Sequence, residues 1–192
     1  MLKNLVAKNR SYRRYFNNFP VSKDLLLELI ELARLTPSAR NLQPLKYFIS
    51  CKKETNEKIF KTLKWAGYLK AGGIDIEPEE RPSGYIIVFG DRNISQDFYI
   101  DAGIAAQTIL LGAVEKGLGG CIVMSIDREE LKTQFNFPDN LEIILIIAIG
   151  KPKEEVIIEE MKGGDVKYWR AGMTHHVPKR SLKELVINLD EL

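Results

Sequence analysis

Across positions 96–116 the chain sets Phe98, Ile100, Ala102, Ile104, Ala105, Ala106, Ile109, Leu110, Leu111, Ala113 and Val114 at a spacing that predicts one long helix, apolar on nearly every side. A surface helix keeps a polar face, so a helix like this one is buried on several sides, in a core or against another subunit. The fold has to be built around it. Two segments offer themselves as the packing partners. Tyr85-Ile86-Ile87-Val88-Phe89 lies between two glycines, and residues 141–149 form a second apolar run. Both predict buried strands. The longer run is broken by Glu142 and stops at Gly150, well short of the roughly 20 residues a membrane span needs, so no membrane partner is expected. At 192 residues the chain is long enough for one sizeable core and short for two, and residues 1–192 are read as a single domain.

Around this centre helices and strands alternate irregularly, and the expected class is α+β about one sheet. Leu2, Leu5 and Val6 predict a short amphipathic helix over residues 2–8. Val21-Ser22-Lys23-Asp24-Leu25-Leu26 has the form of a helix start, with Ser22 as N-cap and Val21 positioned to staple onto Leu26. That helix runs to about residue 35 and ends at Pro37. Strands are expected at 46–50 and 121–124, and helices at 54–65 and after Asp127-Arg128-Glu129-Glu130. Residues 67–83 read as a long loop of the kind that covers substrates. The tail after Lys151 reads as loop, with a final strand or arm over residues 182–189.

Chemistry-bearing residues cluster in few places. Arg10-Ser11-Tyr12-Arg13-Arg14 puts three guanidinium groups and a hydroxyl into five residues, and Lys179-Arg180 forms a second basic cluster near the other end. Planar charged forks suit phosphate or the edge of a heteroaromatic ring; a solvated basic face is the plainer reading of either cluster alone. A net charge of +2 is too balanced to make nucleic acid the expected partner. Thr36-Pro37-Ser38-Ala39-Arg40-Asn41-Leu42-Gln43-Pro44 is rich in side chains that bond locally or to ligands. Gly117-Leu118-Gly119-Gly120 ends a helix and precedes a strand, the reverse of a dinucleotide fingerprint, and reads as a helix C-cap and turn. His175-His176 lacks the companions of a metal site, and no metal is expected. Cys51 and Cys121 are too few for a disulfide framework, which favours the cytoplasm. No nucleophile or acid–base centre stands out, so a cofactor is expected to carry any chemistry.

Taken in order, Arg10-Ser11-Tyr12-Arg13, the Thr36–Pro44 loop, Asp101-Ala102-Gly103-Ile104-Ala105-Ala106-Gln107, Gly117-Leu118-Gly119-Gly120 and Pro178-Lys179-Arg180 resemble the nitroreductase family of FMN-dependent oxidoreductases over nearly the whole chain. The resemblance implies a three-layer α/β/α sandwich with a mostly antiparallel central sheet and a C-terminal strand exchanged with the partner of a homodimer. It implies FMN held by Arg10 and Ser11 at the phosphate and ribityl chain, with Lys179 and Arg180 closing on the phosphate. Arg13 would sit by the N1/O2 edge of the ring and tune it, with no side chain acting as a catalytic acid or base. Pro37, Ser38, Ala39 and Asn41 would cover part of the flavin from the other subunit, and the backbone of Met124 and Ser125 would face N5 and O4. The implied activity is hydride transfer from NADH or NADPH through flavin N5 to a nitroaromatic, quinone or similar small acceptor, by a ping-pong mechanism. Leu45 stands where the family often has an aromatic residue, and residues 67–83 match no family pattern. Dehalogenases, flavin reductases and flavin-fragmenting enzymes share the scaffold, so a dedicated enzyme of that kind, or a flavin-binding module without turnover, stays open beside the main reading. A basic nucleic-acid-binding protein using Arg10, Arg13, Arg14 and Arg40 is the reading from another class.

Overall fold

The computed structural model describes residues 1–65 and 76–188. Nine of the positions expected to form the long loop, and the end of the expected final strand, lie outside the described residues. Six helices and seven strands follow one another among the rest: α1 (Leu2–Lys8), α2 (Lys23–Arg34), β1 (Leu45–Ser50), α3 (Lys53–Lys61), β2 (Gly84–Asp91), α4 (Tyr99–Glu115), β3 (Gly119–Val123), α5 (Arg128–Phe135), β4 (Leu141–Gly150), β5 (Glu155–Glu160), β6 (Trp169–Ala171), β7 (Thr174–Lys179) and α6 (Leu182–Leu185).

The central sheet runs β1-β2-β4-β3, with every neighbouring pair antiparallel. Its two inner strands carry the apolar runs, and alternation sends their side chains to opposite faces. Ile86, Val88, Ile147 and Ile149 join a core with Leu26 and Leu29 of α2 and Ala102, Ala105, Ala106, Ile109 and Ala113 of α4. Tyr85, Ile87, Phe89, Ile146 and Ala148 join a second core with Ile59 of α3, Leu131 of α5, Tyr15 and Trp65. Two cores on two faces make three layers, α/β/α. The register shifts between Val88 and Phe89, opposite Leu145 and Ile143. That bulge is why the adjacent Ile144 and Leu145 both enter the first core. Arg128 answers it, donating from Nε to the Ile143 carbonyl at 2.9 Å and from Nη2 to that of Ile144 at 3.1 Å.

The expected caps form. Ser22 Oγ accepts from the Leu25 N–H at 3.1 Å, and Asp127 accepts from that of Glu130 at 3.0 Å. Gly117 takes the left-handed φ of +71° that closes α4. The long helix starts at Tyr99, three residues later than expected, and is fully buried along Ala102, Ala105, Ala106, Ile109 and Ala113.

The tail corrects two expectations. It is not loop after Lys151 but a three-stranded sheet, β5-β7-β6, with β5 and β7 parallel and β6 and β7 antiparallel. Pro178 disguises β7 in the sequence. Its partners on the β6 side end at His176, so the missing N–H interrupts nothing there. In place of a strand at 182, the described residues form one helical turn, α6, fixed by a capping box between Ser181 and Glu184. Leu182, Leu185 and Ile187 stand exposed on it and just after it.

Candidate functional site

The arginine segment runs as extended chain beside β3. Ser11 bridges to Gly120, and the Tyr12 N–H donates to the Gly120 carbonyl at 3.1 Å. This approach requires glycine at 119, where a Cβ would run into the Tyr12 ring; at Gly120 a Cβ would lie 2.6 Å from the carbonyl oxygen of Ala148 on the paired strand β4. Gly119 thus makes room for the arginine segment, and Gly120 for close pairing within the sheet.

From the other side, Glu154 pins the segment. Its carboxylate is buried, accepts from the backbone N–H groups of Arg13 and Arg14 (the latter at 3.1 Å), and pairs with Arg170 of β6. One buried charge therefore ties the small sheet to the arginine segment. Arg14 is taken up by structure, at 3.2 Å from Glu80, while the Arg13 guanidinium lies 5.0 Å over the Tyr168 ring.

Between the segment and the small sheet lies a pocket of about 280 Å3. Arg10, Ser11 and Arg13 line it from one side, Gln107 and Leu110 of α4 and Gly120 and Ile122 of β3 from the floor. Tyr168 and every second residue of β7, His175, Val177 and Lys179, form the opposite wall. Three cations and no carboxylate line this pocket. The buried Arg10 Nε and His175 Nδ1 have no hydrogen-bond partner among the described residues, and unpaired buried polar groups of this kind each cost about 1–3 kcal/mol. Burial, then the Arg13 and Arg170 cations, push the His175 imidazole down to about 4, so it is neutral at pH 7. The donor set, with its unspent N–H groups and excess positive charge, fits a phosphate-bearing ligand.

Of the residues marked in the sequence, the structure gathers Arg10, Ser11, Arg13 and Lys179 here. Arg180 is turned away, exposed and 3.1 Å from Glu184. Met124 and Ser125 follow the end of β3; Met124 is exposed, and the Ser125 carbonyl accepts from the Lys64 N–H at 2.9 Å. The Pro37-Ser38-Ala39-Arg40-Asn41 loop stands apart. Pro37 and Ser38 border a wider groove of about 800 Å3 along α2, with Leu45 and Tyr47 of β1. Buried Asp101 anchors the loop, accepting from Ser38 Oγ at 2.5 Å and from the Ala39 N–H at 3.2 Å. Arg40, Asn41 and Gln43 all take left-handed φ of 52–56°, rare for residues with a Cβ, and the Ser38 Oγ that donates to Asp101 accepts in turn from the Gln43 N–H at 2.9 Å.

Asn9, Gln107, Tyr168 and His175 also line the cationic pocket and were not marked in the sequence as cofactor ligands. A period-two reading of 175, 177 and 179 toward Lys179 is the signal that finds the last of these. Among the described residues no cluster of three His, Cys, Asp or Glu side chains is placed to hold a metal, and no helix is long and apolar enough to cross a membrane.

The family model described as "Nitroreductase family" matches residues 6–71 and 75–151. MhqN of Bacillus subtilis, provisionally named an NAD(P)H nitroreductase, is 28% identical over 188 residues, covering 79% of this chain and 88% of its own. A 4-nitrobenzoate reductase of Pseudomonas putida is 23% identical over 203 residues, covering 82% and 88%. Among solved structures, an FMN-dependent nitroreductase from Clostridium difficile R20291 superposes with a TM-score of 0.66 at 25% identity, over 81% of this chain and 89% of that one.

Proposed function

This chain belongs to the nitroreductase family, and on that premise we propose that it is an FMN-dependent oxidoreductase that moves hydride from NADH or NADPH to a nitroaromatic, quinone or similar small acceptor. The observation that carries the reading is the pocket lined by Arg10, Arg13 and Lys179 without a carboxylate, where Arg10 Nε is buried and unpaired. FMN, when bound, supplies the hydride-accepting and hydride-donating N5 centre.

The chain's own residues bind, orient and exclude water. Arg10, Ser11 and Lys179 would hold the phosphate end by charge-assisted hydrogen bonds. Arg13, stacked on Tyr168 and tied at its backbone by Glu154, is a fixed cation suited to charge that develops on the ring edge. His175, buried and neutral, offers hydrogen bonding without adding a fourth charge. Gly119 lets the arginine segment lie against β3 and close one side of the pocket.

A pocket of about 280 Å3 sits just below the ordinary range for ligand sites. That supports a site completed by a second subunit, with the Pro37-Ser38-Ala39-Asn41 loop of each chain walling the site of the other. Among the described residues edge strand β1 pairs only with β2, and the groove along α2 opens beside it. The exposed Leu182, Leu185 and Ile187 give the tail an apolar face with which to reach across to such a groove, as an exchanged strand or arm. Compartment follows the same reading: two free cysteines, one buried, suit the cytoplasm.

Steady-state kinetics test the mechanism. With NADH or NADPH varied at several concentrations of a nitroaromatic, we expect parallel double-reciprocal lines, because one site serves both substrates in turn. Intersecting lines would require both to be bound together and would refute the alternating scheme.

A further inference from the structure

Among the described residues, buried polar side-chain atoms without hydrogen-bond partners fall at three places. One is the Arg14–Glu154–Arg170 cluster, where the charges pair with one another and with Glu80. The second is the cationic pocket. The third has no assigned role: Ser83 Oγ, Tyr85 Oη and Arg81 Nε are all buried, all unpartnered among the described residues, and all on residues lining one cavity of about 230 Å3. Ser83 is 9% exposed and Tyr85 1%.

The cavity lies between the start of β2, α3 and the chain leading into α2. Three of its other polar groups are paired. Asn56 bonds Ser50 and the Ser83 carbonyl, Asn17 bonds the Arg81 carbonyl, and Glu57 is neutralised by Arg81 Nη1 at 2.6 Å. The three buried unpartnered atoms can all donate. Burial pushes the Tyr85 hydroxyl far up, so it stays protonated and can donate at any workable pH. Arg81 is held in place by stacking 4.5 Å over Phe60, and exposed Lys53 adds a cation at the mouth. Three unpaired donors with a neighbouring ammonium ask for an acceptor that carries negative charge. Phe60, Val21, Pro20 and Pro82 give the same cavity an apolar side. Its volume is several times the roughly 30 Å3 a water occupies.

We propose that this cavity is a second binding site, separate from the cationic pocket, for a small organic carboxylate with a short apolar tail. The carboxylate accepts from Ser83 Oγ, Tyr85 Oη and Arg81 Nε, and the tail lies against Phe60 and Val21. The site needs neither flavin nor a partner subunit.

Cys51 lines the cavity and is half-buried, whereas Cys121 is buried in the core with its thiol pushed up by that burial. Cys51 therefore reports on occupancy. The experiment alkylates the protein as purified with iodoacetamide and follows the Cys51 peptide by mass spectrometry, with butyrate, butyramide or chloride added. Butyrate is expected to slow Cys51 alkylation about tenfold when present at roughly ten times its dissociation constant, with no slowing by butyramide or chloride. Tyr85→Phe and Ser83→Ala each remove an unmade hydrogen bond and keep the packing, so both should fold, retain the native visible spectrum, and lose most of the protection. No protection by butyrate, equal protection by butyramide, or full protection in both variants would overturn the proposal and leave ordered water as the occupant.

Discussion

His175 shows how much one side chain's surroundings decide. It was marked in the sequence only as half of a histidine pair without metal companions. In the fold its ring packs at a tilt against Tyr168, with centroids 4.9 Å apart, and it faces a pocket lined by arginines. Its imidazole is pushed down to about 4 from an ordinary 6.5. The unfolded chain therefore takes up a proton first as pH falls, and the part of stability that His175 contributes is lost between about pH 6.5 and about pH 4. His175→Phe keeps the ring contact with Tyr168 and removes the titration. We expect urea unfolding of the flavin-free protein to show a smaller loss of stability in the variant than in the wild type between about pH 7.5 and about pH 4.5; equal losses would show that His175 is not held neutral. Arg10, Ser11, Arg13 and Lys179 were legible in the sequence because charge density and forked donors mark themselves. His175 and Tyr168 were not, because nothing local distinguishes an aromatic side chain that faces a ligand from one that faces solvent.

Elements were legible where periodicity and caps agreed. Strands β2 and β4 are continuous apolar runs, and α2 and α5 begin at capping residues that bond as expected. The small sheet was not, because its strands are short, mostly half-exposed and interrupted by Pro178. It is held by a buried ion pair rather than by a hydrophobic run. The side chains of Glu154 and Arg170 are 0% and 5% exposed. Glu154→Ala leaves the Arg170 charge buried and unpaired and strands two backbone donors, which should cost about 3–5 kcal/mol. Glu154→Gln keeps an acceptor for those donors and should cost less. Urea midpoints that rank wild type, Gln, then Ala, with early proteolysis in the tail of the Ala variant, would bear this out. An unchanged midpoint for Ala would mean the small sheet does not depend on the pair.

At the scale of the molecule, the α/β/α layering follows from two strands apolar on both faces and one helix apolar nearly all round. Tyr99 and Ile100 remain more than half exposed at the start of that helix, and Leu182, Leu185 and Ile187 of the tail are exposed too. Such surface suits contact between copies of the chain. We expect sedimentation equilibrium to give twice the chain mass, and a chain truncated after Arg180 to dimerise more weakly. A wild-type monomer at micromolar concentration would contradict the shared site. The division of the marked residues is consistent with a shared site too. Arg10, Arg13 and Lys179 meet in one pocket, while Pro37 and Ser38 border another. No pattern within one sequence says which of its residues will be completed by a second copy.

The central claim is that the pocket between the arginine segment and β7 is built for the phosphate of FMN. Titrating the flavin-free protein with FMN and with riboflavin, followed by quenching of flavin fluorescence, separates phosphate recognition from ring recognition. We expect one FMN per chain, with riboflavin bound about 100-fold more weakly, since each lost charge-assisted hydrogen bond is worth about 1.5–3 kcal/mol. Equal affinity for the two flavins, or no binding of either, would contradict it.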